Sequence, residues 1–391
     1  MRIGDFCKTN LCAYSEKEKW GEIHYLDTGN ITRGKVAEIQ TLVPGIDTIP
    51  SRARRKVQVN DIIYSTVRPN QRHYGIIKAH DPNMLVSTGF VVITVDTRIA
   101  DPDFIYYFLT QDDVVETLEA IGEQSTSAYP SIKPVDIENL EIELPPLEAQ
   151  KAAGAMLRQL DRKCAVNDEI NDNLQQQAYA YFLQLFIENA DPSWRVGTIA
   201  DLGTVVGGGT PSKAKPEYYT DDGIAWITPK DLSIDKSKFI AHGENDISEL
   251  GYRNSSATMM PAGTVLFSSR APIGYIAIAS NEVTTNQGFK SVVPHPEIGT
   301  PFVYYFLIHN LPLIESKASG STFKEVSGSV MKSVEAVIPD GNTIAKFNDF
   351  CRPVFEMQEK LEQQNRKLAA MRDSLLPRLL SGEIDVADIG I

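Results

Sequence analysis

The hexapeptide FIYYFL (104–109) returns later in the same chain as FVYYFL (302–307). Other segments flank both copies in the same order, and the shift between matched residues stays between 193 and 202 residues. The run DIIYSTVR (61–68), for example, matches GTVLFSSR (263–270) and pairs Arg68 with Arg270. Because solenoid units are only about 20–50 residues long, this period indicates a duplicated domain. The sequence therefore predicts two similar domains with two similar functional surfaces.

The composition is that of an ordinary globular protein. The 391 residues are enough for two to three domains, and the hydrophobic and charged fractions are 42% and 23%. No run of 18 apolar residues occurs, so no membrane span is expected. The start of the chain has no apolar signal segment, and the four cysteines have no zinc-site spacing. We therefore expect a cytoplasmic protein with unpaired thiols.

The charge is unevenly distributed. The formal net charge is −13, which by itself argues against a nucleic-acid ligand. Residues 33–78, however, contain nine Lys/Arg and three acids, whereas residues 96–143 contain two Lys/Arg and twelve acids. The sequence thus predicts a polarised first domain, whose basic side could face phosphates and whose acidic side could face solvent or a basic protein.

Two segments, 147–187 and 342–380, have the spacing of long amphipathic helices. Apolar or small residues recur at intervals of four and three, which is typical of a heptad seam. Pro353 is predicted to divide the second helix. We expect the two helices to pair and to separate the two globular domains. The seam residues assigned to this pair are Leu157, Leu160, Asn171, Leu174, Leu361, Asn365, Leu368 and Leu375.

These patterns give four segments. They are a first domain (1–146), a long helix with a linker (147–190), a second domain (191–341), and a second long helix with a tail (342–391). β-Branched runs bounded by turn residues predict the strands, and the Asp-Pro start of 101–122 predicts a helix. The predicted strands are 59–67, 84–96 and 138–146 in the first domain and 264–269, 273–279 and 333–339 in the second.

No reacting constellation is recognisable. The chain has no P-loop, no HExxH, no G-x-S-x-G and no acidic-or-Asn-Pro-Pro-aromatic loop of an adenine methyltransferase. No catalytic residue and no metal ligand is therefore predicted. The loop VVGGGTPSKAKPEYY (205–219) lacks P-loop spacing. It could approach a phosphodiester backbone through its amides and cations, or it could be a plain glycine-rich turn.

The second half contains a specific motif set: GGGTPSK (207–213), WITPKDL (226–232), SSRAPIGYIAI (268–278), TNQGFKS (285–291) and LLPRLLSGEIDV (375–386). With the duplication and the long helices, this set resembles the DNA-specificity subunit of Type I restriction–modification systems over essentially the whole chain. The first half has YLDTGNI (25–31) and STVRPNQRHYGII (65–77) instead, and so resembles another subclass of target-recognition domain.

The resemblance implies an α+β fold with two pseudo-symmetric target-recognition domains, separated by a pair of long antiparallel coiled-coil helices. It implies a non-catalytic subunit in which each domain recognises one half of a bipartite, asymmetric site in double-stranded DNA. The helices would set the spacer and dock two methyltransferase subunits, and the full complex would add two motor–nuclease restriction subunits. No cofactor is expected in this chain; S-adenosylmethionine, Mg and ATP are expected in the partner subunits.

The candidate DNA-binding residues have side chains that can contact phosphates or base edges, with Arg suited to guanine and Asn or Gln to adenine. In the first domain they are Arg52, Arg54, Arg55, Lys56, Arg68, Asn70, Gln71, Arg72 and Tyr74. In the second domain they are Thr210, Ser212, Lys213, Lys215, Ser269, Arg270, Asn286, Gln287, Lys290 and Lys324.

Two other classes of function remain open at this point. The acidic charge and the heptads also fit a coiled-coil scaffold with two peptide- or carbohydrate-binding domains. An enzyme is a weaker alternative because no reacting group was found.

Overall fold

The computed structural model describes residues 1–79, 81–124, 130–320 and 324–384, apart from the side chain of Glu16. The chain forms two compact units. One contains Met1–Cys164 together with the chain from Lys367 onward, and the other contains Ala165–Arg366. Each unit therefore includes a part of both long helices. Within the described ranges, no helix is long and apolar enough to cross a membrane.

The described residues of the first unit form ten strands. One four-stranded sheet has the order β1-β10-β7-β8 and is antiparallel throughout. The other has the order β5-β2-β9-β6, with a parallel β2–β9 pair. The strands are β1 (Cys7–Thr9), β2 (Ile23–Leu26), β3 (Ile31–Thr32), β4 (Lys35–Val36), β5 (Gln40–Leu42), β6 (Ala53–Lys56), β7 (Ile62–Ser65), β8 (Tyr74–Ile76), β9 (Met84–Ser87) and β10 (Phe90–Val95).

The predicted strand 84–96 is two strands, because β9 and β10 belong to different sheets and are divided at the turn before Phe90. The predicted strand 138–146 is wrong. That segment follows a short helix, and in it Glu141 makes only an isolated bridge with Arg2. Its apolar residues are buried without strand pairing, because Ile142 belongs to the main hydrophobic cluster of the unit.

In the described part of the first unit four helices begin: α1 (Pro102–Leu109), α2 (Asp112–Glu123), α3 (Pro134–Glu138) and α4 (Leu147–Leu183). The single helix predicted over 101–122 is thus two. The hydroxyl of Thr110 donates to the carbonyl of Tyr107 at 3.0 Å, and Gln111 has an extended backbone. These local bonds satisfy the last carbonyls of α1 and allow the chain to turn.

In the second unit the main sheet has five strands in the order β12-β20-β17-β18-β15. Its strands and the short pairs beside it are β11 (Arg195–Thr198), β12 (Gly203–Gly207), β13 (Tyr219–Thr220), β14 (Trp226–Ile227), β15 (Phe239–Ile240), β16 (Asp246–Ile247), β17 (Val265–Ser269), β18 (Ile273–Ala279), β19 (Thr284–Thr285), β20 (Lys290–Pro294) and β21 (Glu335–Ile338). The helices are α5 (Ile199–Leu202), α6 (Pro229–Ile234), α7 (Glu249–Arg253), α8 (Thr300–His309), α9 (Leu311–Ser316), α10 (Gly328–Ser333) and α11 (Gly341–Leu380).

The two units repeat one arrangement. Ile62 of β7 lies opposite Ile93 of β10, and Val265 of β17 lies opposite Val292 of β20. Helices α1 and α8 contain the duplicated FIYYFL and FVYYFL segments, and both have buried aromatic residues that join the hydrophobic cluster of their unit. The aromatic runs are therefore core elements, as their helical spacing indicates.

The long helices are more continuous than predicted. α4 ends in a π-helical turn at Gln184–Glu188, and α11 passes through Pro353 without a break. The predicted division at Pro353 is wrong. Pro353 and Asp349 both lie on the exposed side of α11, where water can satisfy the carbonyl that loses its amide partner. The helix ends before Gly382, whose φ of 72° is the left-handed conformation of a C-terminal glycine.

Segments of α4 and α11 run antiparallel in the second unit and are in contact in the first. In the second unit Asn167 contacts Asn365, and Tyr181 contacts Phe350 at 4.7 Å between ring centroids, so residue numbers fall along one helix as they rise along the other. In the first unit Arg372 of α11 pairs with Asp161 of α4 at 2.7 Å.

Candidate nucleic-acid interface

A turn of the same construction follows the central strand pair in both units. We call it the strand-end turn, residues 65–69 in the first unit and 268–272 in the second. In the first, the amide and hydroxyl of Thr66 both donate to the carbonyl of Gly89, at 2.8 and 2.9 Å. In the second, the amide and hydroxyl of Ser269 donate to the carbonyl of Gly288, at 2.7 and 3.0 Å.

These hydrogen bonds correct the alignment of the two repeats. Ala271 corresponds to Arg68, because both have a left-handed φ (47° and 49°) and both precede a proline. Arg270 corresponds to Val67, and each makes an isolated antiparallel bridge to a later segment. The predicted match of Arg68 with Arg270 is therefore wrong by one residue. The arginines at neighbouring alignment positions, 68 and 270, concealed the error, which the backbone conformation and the hydrogen bonds correct.

Two predicted DNA-binding residues are buried. Tyr74 is 4% exposed and stacks on Tyr64 with 5.5 Å between ring centroids. Ser269 is fully buried, and its hydroxyl is used by the strand-end turn. Neither side chain is accessible to a ligand. Their roles are to pack the core and to fix the turn, and we remove both from the candidate set.

The RARRK cluster is not a uniform basic patch. Arg52 is exposed and Arg54 is half-buried. Burial lowers the pKa of the half-buried Arg55 guanidinium. The ammonium of Lys56 pairs with Glu18 and lies 5.2 Å from the centre of the Trp20 ring.

The turn after β7 joins the basic and acidic stretches of the first unit. Arg68 and Gln71 are exposed. The Arg72 guanidinium donates to the Asp112 carboxylate at 2.7 Å. The amide of Asn70 donates to the Glu119 carboxylate at 3.1 Å. The acidic helix α2 therefore supports the predicted DNA-binding turn.

In the second unit the glycine-rich loop packs against the turn after β19. A Cβ on Gly208 would lie 1.9 Å from the carbonyl oxygen of Asn286, so the loop requires glycine there. The hydroxyl of Thr210 donates to the side chain of Gln287, which is exposed. The side chain of Asn286 accepts the amide of Gly288 at 2.8 Å and so shapes the turn.

The remaining candidates of the second unit lie at the surface. Ser212, Lys213 and Lys324 are exposed. The exposed Lys215 donates to the hydroxyl of Tyr218 at 2.9 Å.

Arg270 and Lys290 share one carboxylate, that of Glu325, with 3.6 Å between the charged atoms in each pair. Glu325 was not among the predicted DNA-binding residues. Its position directly after Lys324 was the available signal.

The seam residues lie where α4 and α11 pack within each unit. Leu157 is fully buried and Leu361 is 8% exposed. The other six are half-buried: Leu160, Asn171, Leu174, Asn365, Leu368 and Leu375. Asn167 of α4 is also fully buried, and its side-chain amide donates to Gln364 at 2.9 Å and to Asn365 at 2.8 Å.

A buried lysine connects the second unit's sheet to both of its helix segments. The ammonium of Lys238 lies 3.0 and 2.9 Å from the side-chain oxygens of Gln175 on α4 and Gln358 on α11. It also lies 3.5 Å from the ring centre of Phe355 and 4.4 Å from that of Tyr304. Burial lowers its pKa well below the ordinary 10.5. Nothing in the local sequence distinguishes this lysine from the exposed ones around it.

The backbone beside Lys238 is held as well. The amides of Lys238 and Phe239 donate to the two carboxylate oxygens of Glu362 on α11, at 2.8 and 3.0 Å. Burial raises the pKa of this carboxyl group, although the two amides oppose the shift. The sheet of the second unit is thus fixed to α11 by backbone and side chain together.

The model of the Type I restriction modification DNA specificity domain matches the chain twice, at residues 1–176 and 192–364. The chain belongs to this family. The two matches coincide with the two repeats and together cover most of the sequence. Membership assigns the chain to the DNA-recognition part of Type I restriction–modification systems, in a family of specificity subunits rather than catalytic ones.

Individual relatives agree with this assignment. The Type I restriction enzyme HindI specificity subunit of Haemophilus influenzae is 24% identical over an alignment of 458 positions that covers 98% of both chains. The MjaIX specificity subunit of Methanocaldococcus jannaschii is 37% identical over 189 residues, which are 48% of this chain and 44% of that protein.

The fold also has a solved counterpart. The crystal structure of a Type I restriction–modification system S subunit from M. genitalium matches with a TM-score of 0.57 and 16% identity. The match covers 97% of this chain and 95% of that one. The α+β fold predicted for this specificity-subunit family is confirmed.

Proposed function

We propose that this chain is the DNA-recognition subunit of a Type I restriction–modification complex, with each unit recognising one half of a bipartite, asymmetric site. The main support is the strand-end turn, which has the same hydrogen bonds in both units but different side chains. A shared backbone with different side chains can present different donors and acceptors to DNA, since base edges in the major groove are distinguished by these groups.

Membership of the family supports a proposal about the partners. Two methyltransferase subunits dock on the long helices, and two motor–nuclease subunits complete the complex. S-adenosylmethionine, Mg and ATP bind to those partners. The described residues of this chain contain no group of three or more His, Cys, Asp or Glu that could hold a metal ion. We place the complex in the cytoplasm, where its DNA target lies.

The net charge of −13 is compatible with this role if the partners supply part of the phosphate contact. The exposed cations Arg52, Lys213 and Lys324 would supply the rest. On this proposal, acidic residues such as Asp112 and Glu119 position the basic turn rather than face the phosphates.

The test is co-expression with a Type I methyltransferase subunit that assembles with this chain, in a host without adenine methylation, followed by genome-wide mapping of methylated adenines. A split motif with two unrelated halves and a fixed spacer is the expected result. An assembled complex that adds no methylation would contradict the proposal and favour a scaffold with two peptide- or carbohydrate-binding domains.

A further inference from the structure

At three positions in or beside the strand-end turn, the residue is uncharged in the first unit and charged in the second. Two are the bridge partners: Val67 and Ser131 in the first unit, Arg270 and Glu325 in the second. The third position follows a phenylalanine that pairs with the first residue of the turn. Phe90 pairs with Ser65 in the first unit, and Phe289 pairs with Ser268 in the second. The residue at this third position is Val91 in the first unit and Lys290 in the second. The charges are therefore a property of the second unit and not of the common fold.

The three charged side chains form one cluster. One carboxylate oxygen of Glu325 lies 3.6 Å from a guanidinium nitrogen of Arg270, and the other lies 3.6 Å from the ammonium of Lys290. The Arg270 and Glu325 side chains are 36% and 38% exposed, and Lys290 is 16% exposed. The cluster is thus open to a ligand on one side and supported on the other.

The backbone of Glu325 is held in place by its neighbours. Its amide and carbonyl exchange hydrogen bonds with Ser319 at 2.9 and 3.1 Å, and the amide of Val326 donates to the carbonyl of Ser269 at 3.0 Å. These bonds attach the Glu325 segment to the strand-end turn. The carboxylate is therefore positioned before any ligand arrives, which favours selective recognition.

A carboxylate between two cations is unsuited to phosphate binding, because it repels the DNA backbone. The cluster is suited to a base edge, since a carboxylate accepts a hydrogen bond from the N4 amine of cytosine and an arginine donates to O6 and N7 of guanine. Arg270 and Glu325 place such a donor and acceptor side by side. This arrangement is complementary to the two bases of a single G·C pair.

We propose that the Arg270–Glu325–Lys290 cluster recognises a G·C base pair in the half-site of the second unit, with Glu325 as a specificity-determining residue. The inference rests on the proposed function, namely that the second unit recognises one half of the DNA site. Glu325 accepts a hydrogen bond from the N4 amine of cytosine, and its negative charge weakens binding to any DNA that lacks the G·C pair.

The test compares Glu325→Ala and Glu325→Gln in the assembled complex with the methyltransferase subunit. Binding is measured on the mapped site, on duplexes with each base pair of the second half-site exchanged, and on an unrelated duplex. For Glu325→Ala we expect preference for G·C at one position to fall roughly tenfold. Binding to the unrelated duplex should tighten, with a steeper salt dependence.

A matched control is Glu249→Ala on α7, where an exposed glutamate faces Arg253 at 3.6 Å. It removes the same charge from the same unit and should leave the base preference unchanged. Glu325→Gln keeps the side-chain size and one acceptor oxygen but removes the charge. Its binding to the unrelated duplex should therefore tighten as in Glu325→Ala, which keeps the charge effect measurable if the alanine variant does not assemble, whereas its preference for G·C should fall less. Thermal melting of each variant shows whether the fold is retained.

Two outcomes overturn the proposal. Equal tightening on every duplex, with base preference unchanged, would mean that the carboxylate only repels phosphate. No change on any duplex would mean that the cluster does not face DNA. In both cases methylation of a split site by the unmodified complex would persist, so the proposed function would stand. If the unmodified complex methylates no split site, the proposed function itself is rejected instead.

Discussion

At the scale of single residues, the buried cation of the second unit is a source of pH dependence. Lys238 is 8% exposed, and burial lowers its pKa well below 10.5, whereas in the unfolded chain it keeps the ordinary value. Between the two values the unfolded state binds more protons than the folded state. The contribution of Lys238 to folding therefore becomes more favourable as the pH rises towards 10.5 and less favourable as it falls.

Replacing Lys238 by Met should remove this dependence. As the pH rises towards 10.5, we expect the free energy of unfolding of the unmodified protein to increase relative to that of Lys238→Met. The limit is about 1.4 kcal/mol per pH unit. Denaturant unfolding at several pH values up to 10.5 measures it. Parallel pH curves for the two proteins would contradict the assignment. Lys236→Met, which changes an exposed lysine two residues earlier, is the control.

A second prediction at this scale concerns DNA. Arg270→Ala should weaken methylation at one half-site of the motif while the melting temperature stays nearly constant, because a half-exposed ion pair contributes little stability. Methylation mapping with the variant complex measures the first effect and thermal melting the second. Methylation that is unchanged at every position would remove Arg270 from the DNA contacts.

At the scale of elements, the glycine-rich loop depends on close backbone approach. Gly208→Ala would place a methyl group 1.9 Å from the carbonyl oxygen of Asn286, and we expect a loss of roughly 1–3 kcal/mol in unfolding free energy. Gly207→Ala is the matched control, because no atom lies within 4 Å of its added Cβ. Equal melting temperatures for the two variants would show that the loop does not need this contact.

The polar contact between the helix segments of the second unit gives another test. Asn167→Ala removes the donor to the side-chain oxygens of Gln364 and Asn365, so we expect a loss of about 1–3 kcal/mol. Asn173→Ala, on the exposed side of the same helix, should change stability by less than about 0.5 kcal/mol. Chemical denaturation distinguishes them, and equal stabilities would mean that the buried amide contributes nothing.

Sequence patterns were informative wherever one local signal determines the structure. The duplication, the aromatic segment of α1 and the apolar spacing of α4 and α11 all follow from periodicity. The sequence pattern gave wrong predictions at Pro353 and at 138–146, because side-chain exposure and strand pairing in the folded chain determine the structure there. Residue type alone also placed Tyr74 in the ligand set, because a tyrosine next to arginines has the same signature in a core and at a surface.

At the scale of the whole molecule, the proposed function makes a geometric prediction. Inserting four residues, about one helical turn, into both α4 and α11 should change the spacer of the recognised motif or abolish methylation. Mapping of methylated adenines with the lengthened chain measures the spacer directly. An unchanged motif would reject the role of the helices in setting the distance between half-sites. Four substitutions on exposed helix positions, without insertion, serve as the control.

The order of synthesis matters for this molecule, because its first unit is not a continuous segment of chain. The cluster that includes Ile3 and Leu157 also contains Leu376, Leu379 and Leu380 of α11. These residues leave the ribosome after the entire second unit has been translated. The second unit, Ala165–Arg366, can therefore finish folding first, while the first unit waits for its closing helix with apolar surface uncovered. A nonsense mutation just after Arg366 would consequently damage the domain encoded at the opposite end of the gene.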